Sequence, residues 1–155
     1  MRTISKRTQY GLKAILALAG RYQGEPVSIG TLAREEAIPL KFLEAILLDL
    51  KRFGVLESKK GKHGGYALSR PPSTITFGSL IRMMEGPLAP LPCASETAFQ
   101  PCKECRNIEM CGTRILMRQV RDAIAGVLDN TTVAELVRRT DKRSTPAGEE
   151  MTEPR

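Results

Sequence analysis

The chain has no apolar run long enough to cross a bilayer, a single histidine in 155 residues, and no cysteine outside one stretch of nineteen. A membrane span needs about 20 consecutive, mostly apolar residues, so the composition points to a globular protein without a membrane partner. An export leader is not expected either. M-R-T-I-S-K-R ahead of an apolar stretch imitates one, but Lys13 interrupts it and leaves only Ala14 to Ala19, short of the ~7 to 15 residues such a core needs. The expected location is therefore cytoplasmic and reducing, where a compact cysteine group serves as a ligand set or redox sensor and not as a disulfide framework. No nucleotide-binding loop or acid/base constellation accompanies the cysteines, which argues against an enzyme. The competing class, a small electron carrier, would have no use for what the first half of the chain contains.

Basic excess is absent from the second half. Residues 1–75 hold 13 Lys and Arg against 6 Asp and Glu, whereas residues 76–155 hold 11 of each, so the whole formal charge of +7 lies in front. Segregation of this kind suits a domain that tracks phosphates, because each neutralised phosphate releases counterions. With 41% hydrophobic residues, a chain of this length buries a core without disulfides, which leaves the cysteines free for chemistry.

Periodicity predicts a mostly α protein with a small β-wing: a winged helix-turn-helix DNA-binding domain followed by a long C-terminal dimerisation helix. Gly11, Ile15, Leu18 and Tyr22 recur at helical spacing. Ser28 is placed to cap a second helix bearing Ile29, Leu32 and Ala33, and Pro39 to take the first position of a third. Leu40, Leu43, Leu47 and Leu50, with Ile46 and Phe53, form that helix's expected buried stripe, and Gly54 ends it. Val55 to Lys60 reads as a strand, G-K-H-G-G as a turn, and Tyr66 to Ser69 as the return strand. In such a unit the outward N-terminal residues of the third helix meet base edges first, here Lys41, Glu44 and Ala45. The wing offers Lys59, Lys60, Lys62 and His63 for phosphate or groove contact, beside Gly64, Gly65 and Tyr66.

Pro71 to Ile75 reads as a linker, and Thr76 caps a helix with Phe77, Leu80, Ile81 and Met84 on its apolar side, stopped by Gly86 and Pro87. From Gly112 to about Asp129 a long helix carries Leu116, Val120, Ile124 and Val127 on a broad apolar face. That face calls for a partner surface, and a homodimer reading an inverted repeat of double-stranded DNA is expected. Thr132 and Glu135 form a capping box before a short last helix. The expected division is 1–75 for DNA binding, 76–139 for sensing and dimerisation, and 140–155 as a disordered polar tail.

Between the halves stand Cys93, Cys102, Cys105 and Cys111, separated by eight, two and five residues in a proline-punctuated loop. Four soft thiolates with enough loop to turn inward suit an iron–sulfur cluster, a structural zinc ion or a thiol switch. Structural zinc usually takes two close C-x2-C pairs, and only Cys102 and Cys105 make one. A cluster is preferred, and all three readings stay open on spacing.

The helix opening T-I-S-K-R-T-Q-Y-G-L-K-A, the segment F-L-E-A-I-L-L-D-L-K-R-F-G-V-L, the wing G-K-H-G-G-Y-A-L and the spacing C-R-N-I-E-M-C together resemble the IscR/NsrR/CymR family of winged-helix transcriptional regulators over residues 1–139. The resemblance implies a homodimeric regulator, here expected to be a repressor. Many members carry a [2Fe-2S] or [4Fe-4S] cluster and some carry none. It also assigns Cys93, Cys105 and Cys111 to the family's ligand trio. Cys102 is extra, Arg114 stands where IscR has a histidine ligand, and Thr8 or its neighbours stand where NsrR offers an aspartate.

Overall fold

The computed structural model describes residues 4–144. Helix α1 spans Lys6–Ala19, and the Ser5 hydroxyl caps it by accepting from the Thr8 amide. Gly11, Ala14, Ile15, Leu18 and Ala19 are buried along one side, while Tyr22 lies past the helix end, packed on the core from the following turn.

Helices α2 (Ile29–Glu35) and α3 (Leu40–Arg52) form the helix-turn-helix. Ser28 caps α2 through the Thr31 amide. Ala37 makes the turn at φ 51°: the Ile38 amide reaches the Ala33 carbonyl at 2.9 Å and the Ala37 amide the Arg34 carbonyl at 3.4 Å, which is the Schellman closure usually given to glycine. Lys13 Nζ donates to the Glu36 carbonyl at 2.9 Å, tying the turn to α1. Pro39 is the cap of α3 and not its first helical residue, since its ψ of 129° is not helical although its carbonyl already accepts from the Phe42 and Leu43 amides.

Of the stripe expected on α3, Leu43, Ile46, Leu47 and Leu50 are buried, whereas Leu40 and Phe53 are 47% and 48% exposed. Both occupy helix ends, where the chain has already turned off the core-facing line. Gly54 takes φ 72°, so the Val55 amide returns to the Leu50 carbonyl at 3.0 Å and both side chains are fully buried.

The wing pairs β1 (Leu56–Lys59) antiparallel with β2 (Gly65–Leu68), Leu56 opposite Leu68 and Lys59 opposite Gly65. The first strand is shorter at both ends than the sequence suggests, and the second starts and ends one residue earlier. Val27 adds a third rung by exchanging both backbone hydrogen bonds with Tyr66 at 2.8 and 2.9 Å. A Cβ on Gly65 would stand 2.2 Å from the Val27 carbonyl oxygen, and one on Gly64 would stand 2.4 Å from that of Lys59. Those two glycines are therefore required by the wing's own backbone.

Helix α4 (Phe77–Glu85) is capped by Thr76 and ended by Gly86 at φ 91°. Helix α5 is Gly112–Asp129 and α6 is Val133–Ser144. The tail expected from residue 140 is thus helical as far as Ser144, continuing the turn that pairs Glu135 with Arg139, and residues 145–155 lie outside the described residues. Before α6 the chain returns to the centre: the Val133 amide donates to the Ile75 carbonyl at 2.9 Å and the Phe77 amide to that of Thr131 at 3.0 Å. One core joins Leu18, Leu47, Leu80 and Val133, so the division expected at residue 75 does not run between separate cores. Arg82 and Asp129 tie α4 to the end of α5 through two hydrogen bonds of 2.5 and 2.9 Å, in space that a Cβ on Gly78 would fill. The Arg82 hydrogen bond holds the Asp129 carboxyl below its usual range, so the tie persists down to acid pH and is lost only as pH falls through that lowered value.

Replacing Ala37 by glycine should raise stability by about 1 kcal/mol, because a Cβ at positive φ costs roughly that much. Urea melts of parent and A37G would show a higher midpoint at unchanged slope; an equal or lower midpoint would mean that the turn is unstrained.

Candidate nucleic-acid interface and cysteine cavity

Helix α3 presents Lys41, Glu44 and Ala45, all exposed, on the side away from its buried stripe. Leu48 and Arg52 continue the same face one and two turns on and are exposed as well; their helical spacing from Lys41 was a signal available in the sequence. Lys51 on the neighbouring flank donates to Ser58 Oγ at 2.6 Å, joining α3 to the wing. Lys59 ends β1, and Lys60, Lys62 and His63 stand exposed in the five-residue turn that follows. Tyr66 is half-buried against the core, with its backbone amide and carbonyl both committed to Val27. An open groove of about 590 Å³ runs between wing and helix-turn-helix, with Arg21, Ser28, Lys62 and His63 among its walls. A duplex laid over α3 and the wing would meet Lys41 and Arg52 on the helix and Lys59, Lys60 and Lys62 on the wing, with Glu44 the acidic residue on the helix face.

All four cysteines line one cavity of about 300 Å³, together with Leu91, Glu104, Thr113 and Arg114. The thiols are free; Cys93, Cys105 and Cys111 are half-buried and Cys102 is exposed. Local structure brings them there. A 3-10 turn at Pro92–Ala94 carries Cys93, a tight turn closed by the Cys105 amide on the Cys102 carbonyl at 3.2 Å carries the central pair, and Cys111 caps α5. No side chain caps that helix end, so the positive end of its dipole lies beside the cysteine cavity. Among the described residues no three of His, Cys, Asp and Glu are gathered around a single ion position. The donor set, four soft sulfurs on one half-sheltered cavity, fits a cluster in its chemistry.

Two arginines of α5 fasten this loop. Arg114 Nε donates to the Cys93 carbonyl at 2.9 Å, and its guanidinium stands 6.0 Å from the Phe99 ring centroid. Arg121 Nη1 donates to the Ala94 carbonyl at 2.6 Å, with Asp122 and Glu96 balancing its charge. At 7% exposure Arg121 is the one buried residue of an 18-residue helix. Leu116 and Val127 are 53% and 66% exposed, and Val120 and Ile124 are half-buried. The sequence reading missed Arg121, because an arginine on an amphipathic helix reads as solvated.

Arg121→Met keeps the side chain's apolar stem but leaves the Ala94 carbonyl unpaired, a loss of about 1.5–3 kcal/mol for a charge-assisted bond. Hydrogen exchange at residues 93–96 should accelerate while α1 and α3 keep their protection. Unchanged exchange in the loop would show that Arg121 does not hold it.

Residues 4–139 match the family model Rrf2, described as an iron-dependent transcriptional regulator. An rrf2-like HTH-type transcriptional regulator of Rhodobacter capsulatus is 36% identical over 137 residues, covering 86% of this chain and 91% of that protein. The structure of CymR, described as the global cysteine regulator of B. subtilis, superposes with a TM-score of 0.76 at 31% identity, covering 91% of this chain and 100% of that one. The T. potens IscR structure gives 0.76 at 25% identity, covering 95% and 94%. These relatives are transcriptional regulators and not enzymes, and this chain belongs to the Rrf2 family of transcriptional regulators.

Proposed function

We propose that this regulator is a cytoplasmic homodimer that represses from an inverted-repeat operator, and that an iron–sulfur cluster, [2Fe-2S] or [4Fe-4S], on Cys93, Cys102, Cys105 and Cys111 sets its affinity for DNA. The observation that carries the reading is that one cavity collects every cysteine of the chain and is fastened to α5 through the carbonyls of Cys93 and Ala94. Bound there, a cluster would supply a redox- and oxygen-labile centre whose presence depends on iron supply. The chain's own residues do the rest. Arg114 and Arg121 pass a change of loop conformation to α5, and the Arg82–Asp129 pair passes a shift of α5 to α4. Because Arg114 donates to a backbone carbonyl and has no lone pair to offer, the extra thiol of Cys102 is the natural fourth ligand.

A second reading has its own support. Cys102 is the exposed member of a C-x2-C pair, as a thiol switch acting without a cluster requires. Serine substitutions separate the two. C93S, C105S or C111S should abolish iron and sulfide loading, whereas C102S should retain a cluster that decays faster in oxygen. Iron content together with absorption spectra of anaerobically purified proteins checks this. A parent chain that binds no iron would favour the thiol switch, and a C102S spectrum and decay matching the parent would remove Cys102 from the ligand set.

The line of exposed Leu116 and Val127 with half-buried Val120 and Ile124 is the proposed dimer seam. Val120→Glu or Ile124→Glu would place an unpaired charge in it, at a cost of several kcal/mol, and should convert the dimer to monomer in sedimentation. Dimers persisting in both variants would place the interface elsewhere.

A further inference from the structure

Lys41, Ala45, Leu48 and Arg52 are spaced four, three and four residues apart, which puts them in one line along α3. The line runs opposite the buried Leu43, Ile46, Leu47 and Leu50, and all four of its members are exposed. Two cations and an alanine suit a helix that enters a groove walled by phosphates. Leu48 needs another reason, since it is 45% exposed and lies outside the core cluster. The other exposed apolar side chains of α3 are differently placed. Phe42 meets the Tyr10 ring at a centroid distance of 6.3 Å, on the flank where Arg7 reaches Asp49. Leu40 and Phe53 sit at the helix ends. Leu48 alone is mid-helix on the outward face, between two cations.

In the major groove a T·A pair differs from every other pair by one apolar group, the thymine 5-methyl. We infer that Leu48, with the Ala45 methyl beside it on the same face, reads thymine 5-methyl groups, and that Lys41 and Arg52 on either side hold the helix at that depth through phosphate or guanine contacts. The inference rests on the reading of α3 as the helix in the groove and names the base feature it selects. Burying a leucine against a methyl removes apolar area from water. A cytosine or uracil at the same position offers no such surface. A second protein is the less suitable occupant, because flanking cations favour phosphates over an apolar partner and α5 already supplies an apolar face.

The test uses the full chain, purified anaerobically, and duplexes recovered by it from a random-sequence pool. Each thymine is replaced in turn by deoxyuridine, which deletes only the methyl. In the parent, one or two positions per half-site should lose about four-fold in affinity, the size of one buried methyl group. Leu48→Ala should bind the thymine and uracil forms equally at one of those positions at least. Equal losses in parent and variant, no position sensitive to the methyl, or dissociation of the L48A dimer would each overturn the assignment. Recovery of no duplex at all would overturn it together with the reading of α3 as a DNA reader, whereas recovery without methyl sensitivity would leave that reading standing.

Discussion

Arg121 donates to the Ala94 carbonyl from a helix that buries no other residue. Among the described residues, the side-chain hydrogen bonds that join the cysteine loop to α5 come from Arg121 and Arg114. An arginine loses hydration when it is buried and is held there only by partners, here a carbonyl, Asp122 and Glu96. That requirement fixes the register of loop on helix. It therefore fixes where Cys93 faces, since the neighbouring carbonyl is the one Arg114 holds. The cavity follows from these two bonds together with the turn at Cys102 and the helix cap at Cys111.

The helix-turn-helix and the wing are held together by contacts of a different kind. Val27, ahead of α2, pairs with Tyr66 in β2, and Lys51 of α3 reaches Ser58 in β1. The wing is thereby joined to the helix-turn-helix through both of its strands. Glycines 64 and 65 allow the backbone to approach itself closely enough for this. The cations at the tip, Lys60 and Lys62, remain exposed, free to meet phosphates. The return of the chain through Thr131 and Val133 seats α6 on α1 and the 3-10 turn at Pro72–Thr74, so α5 is bracketed by elements that share the one core.

Much of this was legible from residue order. Ser5, Ser28, Thr76 and Thr132 lie at helix starts and each accepts an amide hydrogen, and the caps at Ser28, Thr76 and Thr132 follow from side-chain chemistry that acts within four residues. The hairpin and the extent of α5 are local in the same sense. What failed to show depended on long-range partners. Leu40 and Phe53 look like core residues until the direction of the chain at each end of α3 is known. The third rung at Val27 needs a pairing across almost forty residues of sequence. Arg114 and Arg121 resemble the solvated Arg118 until the 3-10 turn arrives on top of them. The grouping of the cysteines was visible as spacing, but their sharing of one cavity depends on those same arginines.

Control of DNA affinity by what the cysteines hold is tested most directly by following both properties in one sample. Anaerobic protein would be titrated with its selected duplex, exposed to an iron chelator until the cluster absorption is lost, titrated again, and titrated a third time after reconstitution with iron and sulfide. Expected is an affinity change of at least ten-fold, about 1.4 kcal/mol of coupling, that tracks the absorption down and back. An affinity that stays constant while the absorption disappears and returns would contradict control by the cluster.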